Sequence, residues 1–359
     1  MAPTTVLFES WRGRYDDNPR AISETLSSLR PDLTPRWVTT GSEVPAGVST
    51  VRRNRVAYFR DLATVRHFVN NDMTPRIYPP HRRFETYLQT WHGTPLKRIG
   101  FDTESHAVPQ QYFDRLERDV ARWTHLLSPS AEITAILRSA FRFDGTVLEV
   151  GYPRNDILVG QRGEQLRSQT RKRLGISAEQ QVVLYAPTWR DNALTTDGSP
   201  AWVPDFDLAS LLPRLAEDTV ILQRLHPVIS AAAPASPSPQ LRDVSADPDI
   251  ASLYAAADVL VTDYSSAMFD FAVTGRPIIL FPFDKGRYER ECRATYFDID
   301  DIAPGPVVTR VAALGDELQG LEEFESAYQS RYARFVRRFL PHEDGRATAR
   351  AIQGSLGAA

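Results

Sequence analysis

The densest run of groups able to do chemistry is Thr90-Trp91-His92-Gly93-Thr94-Pro95-Leu96-Lys97. There an imidazole able to exchange a proton near neutral pH stands beside a glycine whose missing Cβ lets a ligand approach the main chain. A histidine on its own more often serves structure than catalysis. Gly93, Thr94 and Lys97 shift that balance, because they add a backbone donor, a hydroxyl and a fixed cation, the set that an anionic substrate needs. Lysine occurs only at Lys97, Lys172 and Lys285 among 42 basic residues, so an ammonium kept in so arginine-rich a chain marks a place where a guanidinium would not fit.

Three further clusters share this character. In Tyr185-Ala186-Pro187-Thr188-Trp189-Arg190-Asp191 an apolar run turns into a polar loop, where Arg190 is either a ligand contact or half of a surface ion pair. Leu222-Gln223-Arg224-Leu225-His226-Pro227 sets an arginine and a histidine two apart, on one side of an extended chain, where both could face a diphosphate. The alternative is a strand-end histidine satisfied by the backbone. Val261-Thr262-Asp263-Tyr264-Ser265-Ser266-Ala267-Met268-Phe269-Asp270 leads serines into an apparent helix, whose free N–H groups and dipole suit a phosphate. Capping by Ser265 is compatible with that. Neither serine lies in a Gly-x-Ser-x-Gly elbow, so neither is read as a nucleophile.

The elements that must position these groups are marked by short apolar runs alternating with longer helical stretches. Val6–Phe8, Val56–Phe59, Tyr87–Thr90, His125–Leu127 and Val147–Val150 are expected as strands of one parallel sheet. After Gly151-Tyr152-Pro153 the pattern restarts with Val182–Ala186, Val220–Leu222, Val259–Val261 and Ile278–Leu280. The expected fold class is α/β, with two doubly wound Rossmann-like domains, at 1–155 and 156–340, and a C-terminal helix and tail at 341–359. Ligands of such sheets bind beyond the strands' carboxyl ends, where the four clusters fall. Phe324, Tyr328, Tyr332, Phe335 and Phe339 recur at helical spacing and are expected to face a core.

Composition narrows the class. A net charge of -3 with 24% charged residues excludes nucleic-acid binding by bulk charge. No apolar run approaches the roughly 18 residues that span a bilayer, and no secretory leader opens the chain, so a cytoplasmic protein is expected. Residues 51–100 nonetheless hold ten Lys+Arg and three Asp+Glu, a basic face suited to an anionic acceptor or the inner membrane surface, on which the protein would be peripheral. One cysteine, Cys292, allows no internal disulfide. Asp298-Ile299-Asp300 reads as an acidic turn rather than a metal motif, and the seven histidines lack zinc-ligand spacing. With no Gly-x-Gly-x-x-Gly or Walker lysine either, neither a metal nor a cofactor is expected.

Taken in order, Trp91 to Lys97, Gly151-Tyr152-Pro153-Arg154-Asn155-Asp156, Ala186 to Asp191, His226-Pro227 and Thr262 to Ser266 resemble the CDP-glycerol glycerophosphotransferase family. Phe8-Glu9-Ser10 with Asp17-Asn18-Pro19 is similar to the opening of its catalytic domain, and Asp344-Gly345 to its closing helix. An additional N-terminal region that some members carry is expected to be missing. The resemblance implies a GT-B-like architecture with a cleft between acceptor-side and nucleotide-side domains. It implies metal-independent transfer of a polyol phosphate from CDP-glycerol or CDP-ribitol to a polyol-phosphate or lipid-linked acceptor, with release of CMP, in teichoic-acid-type synthesis. It places Trp91, His92, Gly93, Thr94, Pro95, Arg154, Pro187, Thr188, Arg224, Leu225, His226, Ser265, Ser266 and Asp270 at donor-contacting positions, with His92 as general base and His226 with Arg224 on the diphosphate. A GT-B sugar transferase, a nucleotide-sugar epimerase and a catalytically silent binding protein are the rival readings.

Overall fold

The computed structural model describes residues 4–41, 44–75, 84–104, 108–188, 206–225, 238–291 and 294–357. Trp189, Arg190, Asp191, His226 and Cys292 therefore lie outside the described residues. Two compact units are present, one from residues 1–94, 98–156 and 339–359, the other from 95–97 and 157–338.

The first unit is built on seven parallel strands: β1 (Thr4–Glu9), β2 (Leu33–Thr39), β3 (Ser49–Arg52), β4 (His67–Asn70), β5 (Thr86–Gln89), β6 (His125–Ser128) and β7 (Thr146–Glu149). Their order is β3-β2-β1-β4-β5-β6-β7, so the direction of winding reverses between β1 and β4. Val6, Leu7 and Phe8 are fully buried, as continuous apolar runs must be in a sheet covered on both faces. The core joins Val6, Phe8, Val69 and Leu88 from the sheet to Ile22 and Leu26 of the helix Asp17–Leu29 and to Ala351 and Ile352 of the helix Ala347–Leu356. That last helix is anchored by Asp156, whose Oδ1 accepts from the Ala347 N–H at 2.9 Å and Oδ2 from the Thr348 N–H at 2.8 Å. Gly151, at φ +86°, lets the chain turn beneath it, since a Cβ there would lie 2.9 Å from the His342 carbonyl oxygen.

The second unit holds five parallel strands, β8 (Val182–Tyr185), β9 (Val220–Gln223), β10 (Leu241–Asp243), β11 (Val259–Thr262) and β12 (Ile278–Leu280), in the order β10-β9-β8-β11-β12. Winding reverses between β8 and β11. The expected aromatic stripe lies on the helix Phe324–Phe339, with Phe324, Phe335 and Phe339 buried and Phe335 stacked on Phe269. Residues 95–97 join this unit by a bridge between Lys97 and Thr295 and a 2.8 Å bond from the Tyr296 N–H to the Leu96 carbonyl.

One expected strand is a helix. Val56–Phe59 begins the helix Val56–Thr64, in which Val56 is 86% exposed while Tyr58 and Leu62, one turn apart, are fully buried. Four strands, β2, β3, β4 and β10, are not marked by the apolar runs; in β2 the Pro35-Arg36 pair interrupts the pattern. Asp298 of the acidic tripeptide accepts from the Asp300 N–H at 2.9 Å, capping the short helix Ile299–Ile302, and Asp300 pairs with Lys285.

Replacing Asp156 by alanine removes both acceptors at the start of the last helix. We expect a loss of about 0.5–2 kcal/mol in chemical denaturation, as for other helix caps; an unchanged unfolding midpoint would show that the helix docks by its apolar face alone.

Candidate active site

In the first unit the register sets Glu9 beside Asn70 and Asn70 beside Gln89, so the residues after β1, β4 and β5 emerge together. His92 lies there between two indoles, its ring centroid 4.4 Å from Trp11 and 4.0 Å from Trp91. Its Nδ1 is 2.9 Å from the Asn71 carbonyl oxygen. Because a carbonyl can only accept, Nδ1 carries the proton and Nε2 keeps its lone pair. Burial lowers the imidazole pKa below the ordinary histidine value, against the opposing pull of that bond and of Asp17 and Asp72. The lowered pKa favours the neutral ring at neutral pH.

Trp91 holds φ +52° and Gly93 φ +147°; the first is rare for a bulky side chain and is held by packing of the indole against Phe141. Thr94 is buried, with no hydrogen-bond partner for its Oγ1 among the described residues. Arg154 lies after β7, donating from Nη1 to Asp17 Oδ1 at 2.8 Å and from its N–H to Asn18 Oδ1 at 3.1 Å. Burial opposes ionisation of Asp17, but the Arg154 guanidinium, with smaller help from His92 and the Asn18 N–H, holds the carboxyl below the usual carboxylate range.

In the second unit, three strand ends meet. Asp263, after β11, accepts at Oδ1 from the Thr188 N–H after β8 and from the Tyr264 N–H, both at 2.7 Å. Thr262 Oγ1 donates to the Ala186 carbonyl at 2.7 Å, so the loops holding Pro187–Thr188 and Ser265–Ser266 are tied twice. Arg224 and Leu225 come after β9, their N–H groups donating to the Tyr185 carbonyl and to Ser245 Oγ, both at 2.8 Å. Burial lowers the Arg224 pKa, and its Nη1 is buried with no partner among the described residues. Ser265 Oγ accepts from the Ala267 N–H at 3.1 Å and so does cap the helix Ala267–Ala272, which is a single short stretch of six residues. Asp270 is buried on that helix.

Lys97 is held within the second unit. Its main chain belongs to the second unit with Pro95, and its Nζ lies 5.4 Å from the centroid of the Tyr288 ring, which stacks on Tyr264 at 3.6 Å. The sequence assigns no role to Trp11, Asp17 or Asn71. Asn71 lies after β4, a strand concealed by its polar ends His67 and Asn70, and Asp17 figures there only as part of an opening motif.

Two doubly wound parallel sheets with polar clusters at their strand ends define a GT-B-like α/β protein, and likeness in fold extends to WaaG, a glycosyltransferase involved in lipopolysaccharide biosynthesis, at 12% identity and a TM-score of 0.52. Residues 1–354 match the family model of CDP-Glycerol:Poly(glycerophosphate) glycerophosphotransferase, and the chain belongs to that family. It is 36% identical to the teichoic acid glycerol-phosphate transferase of Staphylococcus aureus over 97% of this chain and 92% of that one. To the teichoic acid poly(glycerol phosphate) polymerase of Staphylococcus epidermidis it is 35% identical over 97% of its own length, and it spans about half (50%) of that protein. The solved structure of the wall teichoic acid polymerase TagF superposes with a TM-score of 0.89 at 35% identity, covering 97% of this chain and 87% of that one.

Asp263 is one of the two side-chain ties between the β8 and β11 loops, the other being Thr262 Oγ1. In Asp263→Ala two N–H groups lose a carboxylate acceptor, each bond being worth about 1.5–3 kcal/mol. Lower stability together with weaker binding of a CDP donor analogue is expected by calorimetry, and unchanged binding in a folded variant would separate this tie from the ligand site.

Proposed function

We propose that the chain transfers a polyol phosphate, glycerol phosphate first among candidates, from a CDP-activated donor to an acceptor hydroxyl, releasing CMP, in the synthesis of teichoic-acid-type polymers. The observation that carries this reading is the commitment of His92 Nδ1 to the Asn71 carbonyl, which leaves Nε2 to accept a proton, in a chain of this family. Glycerol is the polyol named for the relatives matched over 97% of the chain.

In the reaction the acceptor oxygen attacks the phosphorus bearing the glycerol, its proton passes to His92 Nε2, and the bond from that phosphorus to the CMP oxygen breaks. Little covalent chemistry falls to the protein, so positioning and charge stabilisation dominate. Arg224, whose Nη1 has no partner among the described residues, and His226 hold the diphosphate and offset charge on departing CMP. Backbone N–H groups around Thr188, Ser265 and Ser266 share that load, Asp270 accepts from a donor hydroxyl, and Lys97 and Arg190 add positive charge. Trp91, Gly93, Thr94 and Pro95 shape the surroundings of the base, Arg154 sets its electrostatics through Asp17, and Pro187 and Leu225 line the nucleotide side.

Substitution of the two histidines should not look alike. His92→Ala is expected to cut turnover by about 10²–10⁴-fold with donor affinity retained, since it removes only the base. His226→Ala should weaken donor binding as well, by about 1.5–3 kcal/mol for a charge-assisted contact. CMP release measured beside binding of a non-reacting CDP analogue checks both, and equal affinities in the two variants would refute the division of roles. The pH profile has a sign too. Because burial depresses the His92 pKa, activity should persist below the roughly 6.5 of an ordinary imidazole and fall only as pH drops through the lowered value.

Among the described residues no helix is long and apolar enough to cross a membrane. A cytoplasmic protein that visits the inner membrane surface through its basic segment fits an acceptor carried on lipid. Arg53 is not available for that contact, because it is 10% exposed and paired with buried Glu9, whereas Arg52 and Arg55 are exposed. Cosedimentation with phosphatidylglycerol vesicles should fall in Arg52→Glu/Arg55→Glu, and binding that survives the double change would remove this segment from the interface.

A further inference from the structure

We propose that Asp17 is the positioning residue of His92, because a single carboxylate oxygen, Oδ2, holds both the residue that fixes one edge of the imidazole and the indole of Trp11, tilted by 44° against the ring with its centroid 4.4 Å away. The proposal rests on the reading of His92 as base and extends it to residues given no role in the reaction so far.

The two indoles beside the imidazole are held by different means. Trp91 is locked by packing, its ring 4.7 Å from that of Phe141. Trp11 is 41% exposed, and polar tethers hold it. Its backbone N–H donates to Asn71 Oδ1 at 2.9 Å, and its indole Nε1–H donates to Asp17 Oδ2 at 3.2 Å. The edge of the imidazole depends on Asn71, whose carbonyl accepts from Nδ1, and the Asn71 side chain is in turn fixed by Nδ2 donating to Asp17 Oδ2 at 3.0 Å and to Ser10 Oγ at 2.9 Å. Ser10 Oγ donates onward to Asp16. Trp11 and Asn71 thus converge on Asp17 Oδ2, while Oδ1 is occupied by Arg154 and by the Asn18 N–H at 2.7 Å.

Both Trp11, at φ +42°, and Asp17, at φ +59°, sit in left-handed backbone that non-glycine residues avoid. A glycine would adopt either conformation without strain, so it is the two side chains and their shared bond that the strained backbone serves. Asp17 also acts by charge. The groups that act on the His92 proton are Asp17, Asp72 and Arg154; the two carboxylates favour the imidazolium, and burial with Arg154 disfavours it. Taking away the Asp17 charge therefore lowers the imidazole pKa further, while loosening the ring.

The experiment measures kcat, KM and pH profile of CMP release from CDP-glycerol for Asp17→Asn, Trp11→Phe and His92→Gln, with the His92 ring nitrogens of the free protein followed by ¹⁵N-histidine NMR. Asp17→Asn is expected to lower kcat about 10²-fold, the scale of a misplaced catalytic group, with an unchanged KM for the donor and an acid limb moved to lower pH. Trp11→Phe keeps a ring beside the imidazole but loses the tether, so kcat should fall with the acid limb in place. In the NMR spectra the Nδ1–H tautomer should dominate in the wild type and lose that dominance in both variants. Wild-type kcat, acid limb and tautomer in Asp17→Asn, with His92→Gln inactive, would overturn the positioning role and leave the base reading standing. An active His92→Gln would sink the base reading itself, and the tautomer signals would still show whether Asp17 orders the ring. If Asp17→Asn does not fold, Trp11→Phe decides the matter, since an undisturbed kcat and tautomer there would overturn the proposal.

Discussion

The chemistry of both units depends on one constraint: strands that run parallel deliver their carboxyl ends to the same edge of the sheet. Hydrogen bonding in register then does the rest. Glu9, Asn70 and Gln89 lie side by side in β1, β4 and β5, so Ser10, Asn71 and Thr90 must leave the sheet as neighbours. Had any of these strands run the other way, its polar successor would have emerged at the opposite edge. The reversal of winding between β1 and β4 adds the crevice, because the connections on either side depart toward opposite faces. The second unit repeats the solution, and the bond between the Thr188 N–H and Asp263 spans its own reversal between β8 and β11.

Burial then decides the electrostatics at each edge. Burial favours the neutral form of His92, and it raises the cost of the Asp17 charge, which the Arg154 guanidinium 2.8 Å away offsets. Arg224 is the converse case, a cation in a poorly solvated setting whose Nη1 has no partner among the described residues. The first unit thus holds an imidazole with a free Nε2 and the second a buried guanidinium nitrogen with no partner among the described residues.

Much of this is legible in the sequence because strand and site signals coincide. Tyr87–Thr90, Val182–Ala186 and Val259–Val261 are buried runs that each give way to polar residues, so the fold class and the loops around His92, Thr188 and Ser265 can be read together. The features that escape do so for physical reasons. β4 is four residues long with a histidine at one end and an asparagine at the other, too polar for an apolar run, and its concealment hides Asn71. Val56–Phe59 has the composition of a strand, but only the i, i+4 pair Tyr58 and Leu62 finds a core, and tertiary packing sets the period. The bridge between Lys97 and Thr295 joins residues nearly two hundred positions apart, a pairing that immediate neighbours in sequence do not reveal. Asp17 cannot be found from spacing at all, since its importance comes from the groups that share its oxygen.

The docking of the helix Ala347–Leu356 onto the first sheet has a bearing on how the chain assembles during synthesis. Asp156 meets Ala347 across 191 residues, and Ala351 and Ile352 fill the same core as Val6 and Phe8. While the ribosome is still making residues 157–338, the first unit has an open apolar face, and the growing chain must hold it unfinished. The second unit draws only three residues, 95–97, from earlier in the chain, and all of them are already made when its own core closes. The unit that begins first is therefore completed last, and its exposed face in the interim is a natural ligand for a chaperone.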